Sequence, residues 1–203
     1  MSKLSNFVGN ELSGIFMCIT KDRLYCDAKD DAHRGASQSA IAMITKSLLG
    51  LVAPILTYTA DEIMESAPAV IKGDAENIFD ILYTPINVEY SLFDEAYMVK
   101  AREGFSEIVD GLKKEKKIKA TLALVIYTES AKLSALPQVE AEDWFVVSGI
   151  HTGAPAESLG EFEVDGDKFV IGMATQAKCP RCWKFHSVDE ESLCERCGKV
   201  MNV

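Results

Sequence analysis

Apolar residues recur at helical spacing through the first half of the chain and alternate at strand spacing in the second. Phe7, Leu12, Ile15, Phe16 and Ile19 make an approximate stripe that predicts a helix over 7–25. A polar break follows over 27–35, where Asp30 and Asp31 are expected as loop or cap residues. The clearest stripe is Ile41, Ile44, Leu48 and Leu51, three and four apart; it predicts a helix over 36–52 that Pro54 ends or kinks. Thr59-Ala60-Asp61-Glu62 has the spacing of a capping box, in which hydroxyl and carboxylate satisfy each other's orphan backbone donors. It predicts a short helix through Ser66, closed by Pro68. Residues 71–89 show no clean period and are expected to be loop with short helical pieces. Ser91 to Asp94 is a second cap-like start, opening a helix with Ala101, Phe105, Ile108 and Leu112 on its inner face.

That helix is expected to end in the lysine cluster of 113–119, and the pattern then changes. Residues 121–127, T-L-A-L-V-I-Y, are rich in strand formers and too few for a buried helix. A second strand is expected over 144–150. Segments 161–164 and 169–171 flank Asp165-Gly166-Asp167-Lys168, and Asp-Gly between alternating segments predicts a hairpin. The expected fold is therefore mainly α. A helical bundle spans 1–90, a small α+β unit of three or four strands spans 91–174, and a metal module spans 175–203.

The last of these rests on two C-x-x-C knuckles, Cys179-Pro-Arg-Cys182 and Cys194-Glu-Arg-Cys197. Each knuckle places two thiolates on one tight turn, and two facing turns complete a tetrahedron around Zn²⁺. Four thiolates leave no open position for water, so one structural zinc per chain is expected rather than a hydrolytic centre. Two disulfides, a redox C-P-x-C, and His186 replacing one cysteine are the competing arrangements. Lys178, Arg181, Lys184, Arg196 and Lys199 crowd the same tail, and Trp183 follows the first knuckle. Two accounts stand side by side. The cations offset the negative thiolate centre and Trp183 caps it, or they hold phosphates while the ring stacks on an unpaired base.

Composition narrows the choice. A net charge of −10 over 203 residues repels a polyanion, so any RNA contact must come from a local basic patch. The run 113–119 is a second such patch, although lysines at a helix C-terminus also complement its dipole. No apolar stretch is long enough for a membrane span, the start lacks the apolar core of a signal peptide, and free cysteines with a zinc site point to a reducing cytosol. Phosphate-loop, dinucleotide, nucleophile-elbow and zincin motifs are absent, and His33, His151 and His186 flank no nucleophile. No catalytic residue is expected.

A family resemblance is carried by Lys21-Asp22-Arg23-Leu24-Tyr25-Cys26-Asp27-Ala28-Lys29, by Gln38, and by the 53–63 run A-P-I-L-T-Y-T-A-D-E-I. These resemble the anticodon-binding helical domain of bacterial isoleucyl-tRNA synthetases. Ala101-Arg102-Glu103, the lysine run and the following strand resemble that family's junction segment. The knuckles resemble its zinc domain and also the zinc module of formamidopyrimidine-DNA glycosylases. Met64 departs from the family's usual tryptophan, and His33-Arg34-Gly35 departs from its arginine-rich start. Catalytic and editing domains with their signature motifs are missing, so the resemblance implies a C-terminal fragment of a much longer enzyme. It further implies a cytoplasmic, monomeric isoleucine–tRNA ligase as the parent. This non-catalytic part would dock the anticodon stem-loop of isoleucine tRNA for ATP-dependent charging elsewhere. Arg181, Trp183, Lys184 and Arg196 would touch RNA, with Arg34 and Gln38 lining the helical face. The rival functions are a zinc-stapled protein-interaction module and a nucleic-acid-binding fragment of a DNA-repair enzyme.

Overall fold

The helix expected over 7–25 is present and longer. In the computed structural model, which describes residues 2–81 and 94–202, α1 (Ser2–Asn6) passes through wider π-type turns over Phe7–Phe16 into α2 (Met17–Cys26). Packing divides the chain into two units, Met1–Asp27 with Tyr90–Val203, and Ala28–Glu89.

In the second of these, α3 (Ala32–Val52) starts earlier than the apolar stripe alone predicts. Asp31 is the reason: its carboxylate accepts from the backbone N–H of His33 at 2.8 Å and of Arg34 at 3.2 Å, satisfying two orphan donors. The helix α4 (Thr57–Ser66) corrects the expected capping box, because Thr59 lies inside it. The Thr57 hydroxyl donates to the Ala53 carbonyl at 2.7 Å, and Asp61 accepts from the Ile78 N–H at 3.2 Å. After α5 (Ala69–Lys72), a true capping box forms between Asn77 and Asp80 around a single tight turn, Ile78–Asp80. Leu49, Ala53, Ala60, Met64, Ile71, Ile78 and Ile81 form the core of this unit. Leu51, expected on the inner face, is exposed, and Leu49 is buried in its place. The remainder of the 71–89 stretch and the Ser91–Phe93 start lie outside the described residues.

In the other unit Asp94 caps α6 (Glu95–Lys114), accepting from the Tyr97 N–H at 3.1 Å. The helix buries Tyr97, Met98, Ala101, Phe105, Val109 and Leu112 against the sheet. It approaches closely at Gly104, where a Cβ would stand 2.7 Å from the Phe162 ring. A short turn over Thr121–Ala123 takes the start of the expected first strand, which runs as β1 (Leu124–Thr128). Then come α7 (Ala131–Ser134), α8 (Gln138–Phe145), β2 (Gly149–His151), β3 (Gly160–Val164), β4 (Asp167–Met173) and α9 (Glu195–Met201). The sheet order is β2-β1-β4-β3, with β1 parallel to β2 and the other pairs antiparallel. The predicted hairpin turns at Asp165 (φ 50°) and Gly166 (φ 94°), the two left-handed residues of the tight turn that suits strand twist.

The strand expected over 144–150 is corrected. Trp144 and Phe145 close α8, and Val146 ends the helix in a left-handed conformation at φ 56°. The Trp144 indole N–H donates to the Met98 carbonyl at 2.9 Å, and the Phe145 ring packs edge-on to Phe105 at 5.5 Å. Packing against α6 thus overrides the strand preference of the W-F-V-V run. The architecture is otherwise of the expected class: mainly helical, with a small four-stranded sheet and a cysteine module.

Candidate metal centre

The four knuckle cysteines converge as the spacing predicts. Cys179, Cys182, Cys194 and Cys197 are all buried, and their sulfurs lie within 4.8 Å of one another. Each knuckle is a backbone-bonded turn. The Cys179 N–H donates to the Lys184 carbonyl at 2.9 Å, and the Trp183 N–H donates back to the Cys179 carbonyl at 3.0 Å. The tightness of this turn forces Trp183 into a left-handed conformation at φ 67°. The second knuckle is the opening turn of α9, with Cys194 at its cap.

Electrostatics favour thiolate at Cys179. Burial alone would raise the Cys179 thiol, but the N–H groups of Cys194, Cys182 and Arg181 aim at its sulfur and bring it down to about 6. The Cys194 N–H stands 3.4 Å from that sulfur. Arg181 donates to Cys197 Sγ at 3.4 Å and to the Cys26 carbonyl at 2.6 Å. Burial pushes the Cys182 and Cys194 thiols up. Four sulfur donors with amide and guanidinium partners fit a soft or borderline metal ion. Cys26 joins the same buried sulfur cluster. His186 is placed elsewhere, its Nε2 bonded to the Ser148 carbonyl.

Most of the tail's cations turn inward. Lys184, expected at the RNA, is buried; its ammonium meets Glu142 at 3.1 Å, Asp143 at 3.2 Å and Asp22 at 3.9 Å. Burial would lower its pKa, but Asp143, Asp22 and Glu142 more than offset this and hold it above the ordinary value. Arg196 forks onto the Asp22 carboxylate, one arm at 2.8 Å, and reaches Asp27 at 3.3 Å. Burial acts to raise Asp22, yet the Arg196 hydrogen bond and the Lys184 charge leave it below the usual carboxylate range. Arg23 adds a 2.9 Å pair with Asp143. The segment 21–27 and the knuckles, the two stretches that carry most of the family resemblance, are therefore each other's binding partners. Spacing alone did not reveal Asp22, Glu142 and Asp143 in this role. The signal available was the run of acids in 140–143, masked by the strand-like residues after it.

Among the tail residues expected at the RNA, Trp183 is the one that is exposed. It is 60% exposed, with the Lys178 ammonium 5.3 Å from its ring centre. Beside it lies a groove of about 500 Å³ walled by Ile19, Tyr25, Leu122, Val146 and Trp183. Arg34 and Gln38 both lie on α3, in the other unit; Gln38 is exposed and Arg34 half-buried.

Comparison with known proteins adds the family. The profile described as the anticodon-binding domain of tRNA ligase matches residues 1–128. The isoleucine–tRNA ligase of Sulfurimonas denitrificans is 61% identical over 100% of this chain, and that of Nitratiruptor sp. is 56% identical over 99%. The Campylobacter curvus isoleucine–tRNA ligase is 53% identical over 98%. Each alignment takes in 22% of the relative, so the chain spans about a fifth of the length of the curated relatives it matches.

Proposed function

The chain belongs to the family of anticodon-binding domains of tRNA ligases, and from that we propose that it is the part of an isoleucine–tRNA ligase that grips the anticodon stem-loop of isoleucine tRNA. Catalytic and editing domains elsewhere in the parent enzyme would charge the far end of the tRNA in the cytoplasm, the enzyme acting as a monomer. The three-part division at 1–90, 91–174 and 175–203 describes its labour: a helical face carrying Arg34 and Gln38, a junction, and a zinc knuckle.

The observation that carries the proposal is the display of Trp183. A single Zn²⁺ held by Cys179, Cys182, Cys194 and Cys197 would rigidify the turn that projects this ring, and Asp22 and Asp143 anchor the same turn from behind. An exposed aromatic on a rigid support suits an unstacked loop base. Arg181, Lys184 and Arg196 support the contact mainly by holding the knuckle in place, because their donors face groups of this chain. The protein-partner and DNA-repair alternatives gain nothing from the family match.

Binding of isoleucine tRNA and a noncognate tRNA to the zinc-loaded chain, each at two salt concentrations, tests the proposal. Cognate binding that weakens with salt and drops about tenfold or more in Trp183→Ala is expected. Equal affinity for both tRNAs, or none at low salt, refutes it. Incubation with ATP and isoleucine should yield no pyrophosphate exchange.

A further inference from the structure

With Lys184 and Arg196 turned inward, the tail keeps only Lys178 and Lys199 as exposed cations, and other elements add to them. Lys21 on α2 and Lys113 on α6 are both exposed, and neither side chain makes an ion pair or hydrogen bond among the described residues. They belong to different elements yet line one cavity of about 310 Å³, together with Arg102, Ser106 and Thr121. Arg102 lies at its wall, where one arm of its guanidinium donates to the Trp144 carbonyl. Asp110 is the one acidic residue on this lining. The cavity shares Cys18, Lys21 and Val146 with the groove beside Trp183, so the two adjoin along these residues, with cations lining one and an exposed aromatic ring edging the other.

We infer that the cationic cavity, with Lys21, Arg102 and Lys113, binds the phosphodiester backbone of an unpaired RNA strand whose bases lie toward Trp183. Two ammonium groups and the remaining donors of the guanidinium are what phosphate oxygens accept from, and the hydroxyls of Ser106 and Thr121 add neutral donors. The pairing of a cationic track with an aromatic platform is the general solution for single strands. The inference rests on the proposed anticodon contact and adds to it a backbone site outside the zinc knuckle.

The test uses the zinc-loaded chain of 203 residues and a fluorescein-labelled synthetic anticodon stem-loop of isoleucine tRNA, titrated across a salt series. Both lysines are exposed, so the Lys21→Ala, Lys113→Ala double variant should fold as the parent does. It should bind about tenfold more weakly at low salt. The slope of log affinity against log salt should become shallower by about 1.4, roughly 0.7 for each single-strand phosphate that is no longer neutralised. Lys132→Ala, whose ammonium already pairs with Asp94 at 2.9 Å, should change neither quantity. If the unaltered chain binds the RNA and the double variant matches it in affinity and slope, this inference fails while the anticodon proposal stands. If the unaltered chain does not bind at low salt, both fail.

Discussion

Lys184 shows what a single buried charge does in this fold. Its side chain is 5% exposed, and Glu142 and Asp143 opposite it are 4% and 1% exposed. Removing Lys184 leaves Glu142 buried without a counter-charge, while Asp143 keeps Arg23 and Asp22 keeps Arg196, and a stranded buried charge costs more than the intact group contributes. Lys184→Met should therefore lower unfolding stability by about 3 kcal/mol in urea titrations while leaving metal stoichiometry unchanged, since no knuckle sulfur is altered. Tyr97 makes a pH statement. Its hydroxyl sits 2.6 Å from Ser130 Oγ and donates to Asp167 at 2.5 Å. Burial first, and the Asp167 carboxylate second, push it up from 10.0 to about 12. A pKa raised on folding gives stability that is complete below the unfolded value and lost as pH climbs through the folded one. The urea midpoint should thus fall between pH 10 and about 12, and in Tyr97→Phe that part of the decline should vanish. Ultraviolet phenolate absorbance would follow the same step.

At the scale of elements, the contact of α6 with β3 depends on a missing side chain. A Cβ at Gly104 would stand 2.7 Å from Phe162, whose ring stacks on Phe169 with centroids 4.7 Å apart. Gly104→Ala should cost about 1–3 kcal/mol despite its better helix propensity, read as a lower thermal midpoint. An unchanged or raised midpoint would show that the ring moves aside freely. The period of α6 was legible because one face is buried along its length, and the hairpin was legible because Asp165-Gly166 supplies the two left-handed residues itself. What failed did so where local and distant forces compete. Trp144 and Phe145 have strand preference, but α6 offers them a carbonyl and an aromatic edge. Thr59 has the spacing of a cap, but the hydroxyl that finds a partner in the preceding turn is that of Thr57. Four cysteines at knuckle spacing announced their own convergence. The inward turn of Lys184 and Arg196 could not be read, because Asp22 and Asp143 lie far from them along the chain.

Over the whole molecule the cores differ in kind. The sheet and α6 share an apolar core from Tyr97 to Ile171, the 28–89 unit has a smaller one, and the tail centres on sulfurs. If the knuckles of the purified chain hold a metal ion, chelating it at neutral pH should raise amide hydrogen exchange across 177–199 by about tenfold or more, while protection in Leu124–Thr128 and Asp167–Met173 stays near its original level. Uniform loss of protection would mean that the metal stabilises the entire chain. The doubly engaged carboxylate of Asp22 has a consequence in evolutionary time. Arg196 forks onto this acid, whereas Lys184 has Glu142 and Asp143 closer to it, so loss of the acid alone strands Arg196 above all. Positions 22 and 196 should change together across descendants of a common ancestor, so that a lineage lacking the acid has also given up the arginine, while the lysine at 184 follows 142 and 143.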